Sequence, residues 1–113
     1  MQYMCLIYDD EAAFWQLSDA ERSAVYSEYR ALREEIIKTG HFVAGSQLAP
    51  TVKARTVRVR NGSTQTTDGP FAETREQLGG YILIDAADMN EAVAVAARIP
   101  TAGNGVVEVR PLI

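Results

Sequence analysis

The stretch Thr67-Asp68-Gly69-Pro70-Phe71-Ala72-Glu73-Thr74-Arg75-Glu76-Gln77-Leu78-Gly79-Gly80-Tyr81 sets three carboxylates beside a rigid Gly-Pro turn and an aromatic ring. Grouped carboxylates raise one another's proton affinity, so Asp68 with Glu73 could line a polar cleft and act as an acid, a base or a cation ligand. The competing reading of Asp68 is architectural: its carboxylate can accept backbone N–H bonds and let Gly69-Pro70 reverse the chain. His41, the single histidine, is the one side chain that titrates near neutrality, and beside Asp68 it could serve as a general base. A lone histidine at the start of a strand is more often a hydrogen-bonded structural residue. Gly69, Pro70, Phe71 and Tyr81 frame the motif and are the expected ligand-binding residues.

Other reactive chemistry is thinly represented. Cys5 is the only cysteine, which excludes an intrachain disulfide and a cysteine-based zinc cluster, and its place in an apolar run points to inert packing. With one His and one Cys, two acids five residues apart give no basis for a transition-metal centre, and no cofactor fingerprint, nucleophile motif or phosphate-binding loop is present. Lys53, Arg55, Arg58 and Arg60 form a basic strand, read first as a charged edge that resists aggregation and second as a patch for an anionic metabolite or an acidic protein surface. Phe14 and Trp15 lie in an acidic link and are expected to wedge into the core or an interface.

The elements that must position these groups can be read from the periodicity. Gln2–Tyr8 is a strand with both faces apolar, as in the middle of a sheet. Ser18 and Glu21 make a capping box for a helix carrying Val25, Tyr29, Leu32 and Ile36 on one stripe, stopped by Gly40. His41–Leu48 and Val52–Arg60 read as strands, the second turning at Asn61-Gly62 into Ser63–Thr67. Asp68–Leu78 reads as a loop and Tyr81–Asp85 as a strand. Asp88 with Glu91 caps a second helix that buries Ala92, Val95, Ala96 and Ile99 before Pro100, and Val106–Val109 closes the chain as a strand.

This order is a split βαβ arrangement with extra material in the middle, predicting an α+β, ferredoxin-like sandwich over residues 1–113 as a single domain. Two helices cover only one sheet face, so the apolar second face predicts a homodimer. The chain has 113 residues, 47% of them hydrophobic and 23% charged, as in an ordinary globular domain. Its net charge of -4 opposes the electrostatic attraction that dominates nucleic-acid binding. No apolar run approaches the roughly 20 residues of a membrane span. The N-terminus lacks a basic leader, and a cytoplasmic location is the expectation.

The Asp68-Gly69-Pro70-Phe71 run, the Glu73-Thr74-Arg75-Glu76 that follows it and the Gly79-Gly80-Tyr81 strand entry resemble the DGPF-type branch of the YCII-related family. Pro100 and Val107-Glu108-Val109-Arg110-Pro111 share the likeness, which covers most of the chain from Gly40 onward and the helix pattern before it. The resemblance implies a ferredoxin-like fold pairing into a dimeric α/β barrel with an active-site cleft near the dimer interface, and a link to a sigma-factor pathway. Enzymes among the broader relatives use a His–Asp pair whose Asp lies near the turn that Asp68 resembles. The first helix here carries Tyr26 and Tyr29 but no His, and His41 falls beyond its stop. Between a non-catalytic ligand-binding or regulatory accessory module and a lyase- or hydrolase-type enzyme using Asp68, the absence of a nucleophile or cofactor motif favours the first.

Overall fold

The computed structural model describes residues Met1–Ile113. Strand β1 (Gln2–Asp10) runs into a short helix α1 (Glu11–Gln16), and the long helix α2 (Asp19–Lys38) leads to β2 (Phe42–Gln47). A hairpin, β3 (Arg55–Arg60) and β4 (Ser63–Asp68), comes next, then β5 (Glu76–Asp85), helix α3 (Met89–Ala96) and β6 (Val106–Pro111). The four-stranded sheet has the order β2-β5-β1-β6, and β5 is antiparallel to both β1 and β2. β1 and β2 are therefore parallel, joined across α2 with β5 between them. β5 and β6 are related in the same way through α3, with β1 between. This double split βαβ, α+β with an antiparallel sheet, is compatible with the ferredoxin-like expectation.

The sequence signals that place the helices are the ones observed. Ser18 Oγ accepts the Glu21 N–H while Glu21 accepts the Ser18 N–H, a closed capping box. Gly40 takes φ +80° after the C-cap, a conformation that would strain any residue with a Cβ. Asp88 caps α3 by accepting the Glu91 N–H, but the Glu91 carboxylate takes the Ala87 N–H and faces His41 instead of closing the box on Asp88. α2 and α3 lay Leu32, Ile36, Ala92, Val95 and Ala96 over Tyr3, Cys5, Ile7, Ile82 and Ile84, which form the core. Cys5 is fully buried there, and burial pushes its thiol up to about 11, so the inert reading holds.

Three segments differ from the sequence-based expectation. α1 occupies the acidic link, started by Asp10 accepting the Ala13 N–H. Residues 51–53 form a 3-10 turn, so β3 begins at Arg55 and not at Val52. β5 begins at Glu76, because Gly79 and Gly80 act within the strand rather than ahead of it. Opposite β1 the register slips between Ile7 and Tyr8, leaving Gly79 as a bulge, and at Gly80 a Cβ would stand 3.0 Å from the Ser46 carbonyl oxygen of β2.

The helices leave one sheet face open, with Met4, Leu6 and Tyr8 of β1 beside Tyr81 and Leu83 of β5. The molecule is 47 × 40 × 18 Å, only two layers thick. Its radius of gyration is 15.9 Å, against about 13 Å for a compact domain of this length.

Candidate functional site

A cleft of about 740 Å³ opens between α1, α2 and the ends of β1, β2 and β5. Along β1 the helix-facing positions are Tyr3, Cys5 and Ile7, and period-two alternation makes Asp9 the next, putting a carboxylate on the floor where the core ends. Asp9 lies close to Gly79, whose missing side chain leaves room for it: a Cβ there would be 3.2 Å from Asp9 Oδ1. Burial, reinforced by the neighbouring charges of Glu11 and Asp10, lifts the Asp9 carboxyl above the ordinary carboxylate range.

Above the floor stands Tyr29, projected from α2 and hydrogen-bonded to the Thr101 hydroxyl. Burial raises its phenol pKa, the Thr101 bonds oppose the rise, and the Asp9 charge adds to it. Phe14 of α1 packs edge-on against Trp15, at 5.0 Å between centroids, and against Tyr26, at 6.0 Å. The pair expected in core or interface thus forms a wall of the cleft. Arg33 lies over Phe42 at 4.8 Å, and Gly45 and Gln47 of β2 complete the lining. The arrangement offers aromatic surface, one partly desolvated carboxylate and one phenol–hydroxyl pair, which is the make-up of a small-molecule site.

The residues singled out from sequence are distributed over separate places. Tyr81 borders the cleft through its position in β5, while its place opposite Leu6 turns its side chain to the open sheet face. Pro70 and Glu73 line a smaller groove with Asp10, Glu11, Thr51 and Arg75. Asp68 sits at the end of β4 with its side chain 89% exposed, facing Arg55 at 3.3 Å in place of backbone N–H groups. The turn is held instead by Gly69 N–H donating to the Ala54 carbonyl at 2.8 Å and Thr56 Oγ1 to the Gly69 carbonyl at 3.0 Å, with Gly69 at φ +97°. Phe71 beside it is 81% exposed.

His41 lies at the far end of β5, where its carbonyl accepts the Asp85 N–H. Its ring joins Thr39 Oγ1 at 2.7 Å through Nδ1 and Glu91 Oε1 at 2.7 Å through Nε2, tying the α2 terminus to α3. These bonds and the Ala87 N–H hold the Glu91 carboxyl below its usual range. Asp68, Glu73 and His41 do not converge on one pocket. Asp9, Tyr29 and Thr101 do converge on the cleft, and of the three only Tyr29 figures in the sequence pattern, as a member of the α2 stripe.

The ordered turn carries an expectation of its own. Pro70→Ala enlarges the freedom of the unfolded chain without touching the hydrogen bonds around Gly69, and should lower stability by about 1 kcal/mol. Denaturant unfolding checks this, and an unchanged midpoint would show that Pro70 is not holding the turn.

Comparison with known proteins places the whole chain against one family model, that of the YCII-related domain, over residues 1–113. An uncharacterized protein of Rhizobium meliloti (strain 1021) is 39% identical over 114 residues, covering 99% of this chain and 92% of its own length.

Proposed function

From the premise that the chain belongs to the YCII-related family, we propose that it is a homodimeric ligand-binding module of the DGPF branch, with its ligand in the cleft above Asp9. The observation that carries this reading is the convergence of a partly desolvated carboxylate and a half-buried Tyr29–Thr101 pair inside aromatic walls. Apolar concavity supplies affinity and a few convergent polar groups orient the bound molecule. The aromatic surface of Phe14, Trp15 and Tyr26 fits a flat or apolar small molecule, and Asp9 fits a hydrogen-bond donor or cationic group on it.

Asp9 and Tyr29 also support a second reading, an enzyme of lyase or hydrolase type. A carboxyl raised above its ordinary range by burial, in one cleft with a phenol, supplies the two groups of an acid–base pair. In that reading Asp9 takes the role considered above for Asp68, because Asp9 lies inside the cleft and Asp68 stands exposed outside it.

The dimer is the other half of the proposal. The open face presents Met4, Leu6, Tyr81 and Leu83, and burying it against a second copy removes apolar surface that one layer of helices leaves uncovered. Light scattering at micromolar concentration should give twice the chain mass. A folded monomer at that concentration sinks the dimer reading.

The cleft is tested by a thermal-shift screen of small aromatic and amine metabolites, since a ligand selective for the native state must raise its midpoint. Amide chemical-shift mapping with any hit should then mark Gly45–Leu48 and Gln77–Tyr81. Shifts clustered at residues 51–71 would reject the cleft and return the site to the Asp68 turn.

A further inference from the structure

β3 and β4 form a two-stranded sheet that pairs with no other strand. Every residue of it except Thr56 is exposed. Strands of this length make an arm about 20 Å long. An isolated hairpin is marginal in water unless something covers one face. The Asn61-Gly62 turn, with φ of 53° and 74°, fixes its register so that Val57 opposes Thr66 and Val59 opposes Thr64. One face is thus valine and threonine, with Val57 61% and Val59 57% exposed. Below the strands, the arm's root is tied to the body by Thr51, which donates its N–H and hydroxyl to Glu11.

Charge says what the cover is. Residues 51–68 hold four of the eleven lysines and arginines and one of the fifteen aspartates and glutamates, so a basic arm grows from an acidic body. Asp68 neutralises Arg55, whereas Lys53, Arg58 and Arg60 have no carboxylate partner in their own chain. On the body, Glu28, Glu34, Glu73, Glu76 and Asp85 are exposed and likewise lack a cation. Arm and body are complementary, yet the arm of one chain does not lie on its own body.

We infer that the β3–β4 arm docks through its Val57–Val59 face onto the acidic body of a second copy of this chain, steered there by Lys53, Arg58 and Arg60. The inference rests on the dimer reading and adds a second contact to the sheet-face interface. Two-fold symmetry makes the contact reciprocal, each arm reaching the other body. Opposite charges steer the encounter and the valines supply the contact itself.

The test is a dilution series followed by sedimentation velocity on the full chain, comparing wild type with V57T/V59T and with K53E/R58E/R60E. Threonine keeps the β-branched shape and strand preference, and the charge changes fall on exposed side chains, so both variants should fold. Each should raise the dimer dissociation constant by about tenfold or more. The wild-type constant should also rise with sodium chloride, because exposed charge pairs are screened. Unchanged constants in both variants of a dimeric wild type overturn the arm contact. An L6K/L83K variant separates the two readings: dissociation there alone keeps the sheet-face dimer and removes the arm from it. A monomeric wild type removes both.

Discussion

Gly105→Ala should lower the stability of the protein by about 3 kcal/mol, a fall of about 10–20 °C in the unfolding midpoint. A Cβ at this position would stand 2.4 Å from the Tyr8 carbonyl oxygen and 2.8 Å from Thr101 Cγ2. The first of these is backbone of the central strand, which cannot swing aside as a side chain can. Gly105 also donates its N–H to the Thr101 carbonyl at 2.7 Å, at the point where the 3-10 turn Pro100–Gly103 hands over to β6. Relief therefore requires β1 and β6 to part near Tyr8 and Val106, or Thr101 to move and release the Tyr29 hydroxyl. Either movement reaches the cleft, so ligand shifts should weaken together with stability. Gly103→Ala is the control, because nothing lies within 4 Å of its added methyl, and it should change stability by less than about 0.5 kcal/mol. Calorimetry on the two variants decides the matter, and equal midpoints would mean that the β1–β6 junction yields at no cost.

The layered part of the fold was legible because its signals are local. Alternation marked β1, the Ser18–Glu21 box opened α2, and Gly40 closed it, each through interactions confined to a few residues. Where a segment's role depends on a distant neighbour, the same signals misdirect. Gly79-Gly80 has the composition of a turn, but in the structure it is a bulge opposite Ile7 and a close approach to Ser46 inside a ten-residue strand. α1 has six residues and no period to detect, and it exists because Asp10 caps it as β1 ends. The hairpin turn was clear from Asn61-Gly62, while the separation of β3–β4 from the main sheet was not, since strand pairing is not written in either strand alone.

The candidate cleft was less legible than the fold for a related reason. Asp68, Glu73 and His41 stand out through residue type and a motif, and the structure puts them on an arm, in a side groove and at a helix terminus. The cleft is built from Asp9, Tyr29 and Thr101, which come from three distant parts of the chain and meet only when β1, α2 and the turn after α3 are packed. Tyr29 was visible as a core-stripe residue, so its hydroxyl was hidden by its ring. Asp9 shows its inward position only once β1 is seen to run to Asp10, two residues past the Gln2–Tyr8 span that the alternation marks.

Asp9→Asn should change stability and binding in opposite directions. Burial and the nearby Glu11 and Asp10 charges raise the Asp9 carboxyl in the folded state, so between the ordinary carboxylate range and that raised value the folded chain holds a proton the unfolded chain has released. Stability contributed by this group is complete below the ordinary range and is lost as pH rises through the folded value. At neutral pH the ionised, partly desolvated carboxylate is a cost, and the asparagine, of the same shape and without charge, removes it. The variant should therefore unfold at a higher temperature than wild type at pH 7 and at the same temperature near pH 3. A ligand whose donor or cation meets Asp9 should instead lose affinity about 10- to 100-fold, the worth of a charge-assisted hydrogen bond. Asp68→Asn breaks only an exposed pair with Arg55 and should move neither quantity by much. Strain kept at a position whose removal stabilises the fold but disables it is the mark of a functional group. Paired melting and titration curves for the two variants separate the two roles: an Asp9→Asn protein less stable than wild type, with ligand affinity intact, would make Asp9 a structural residue and leave the cleft without its polar anchor.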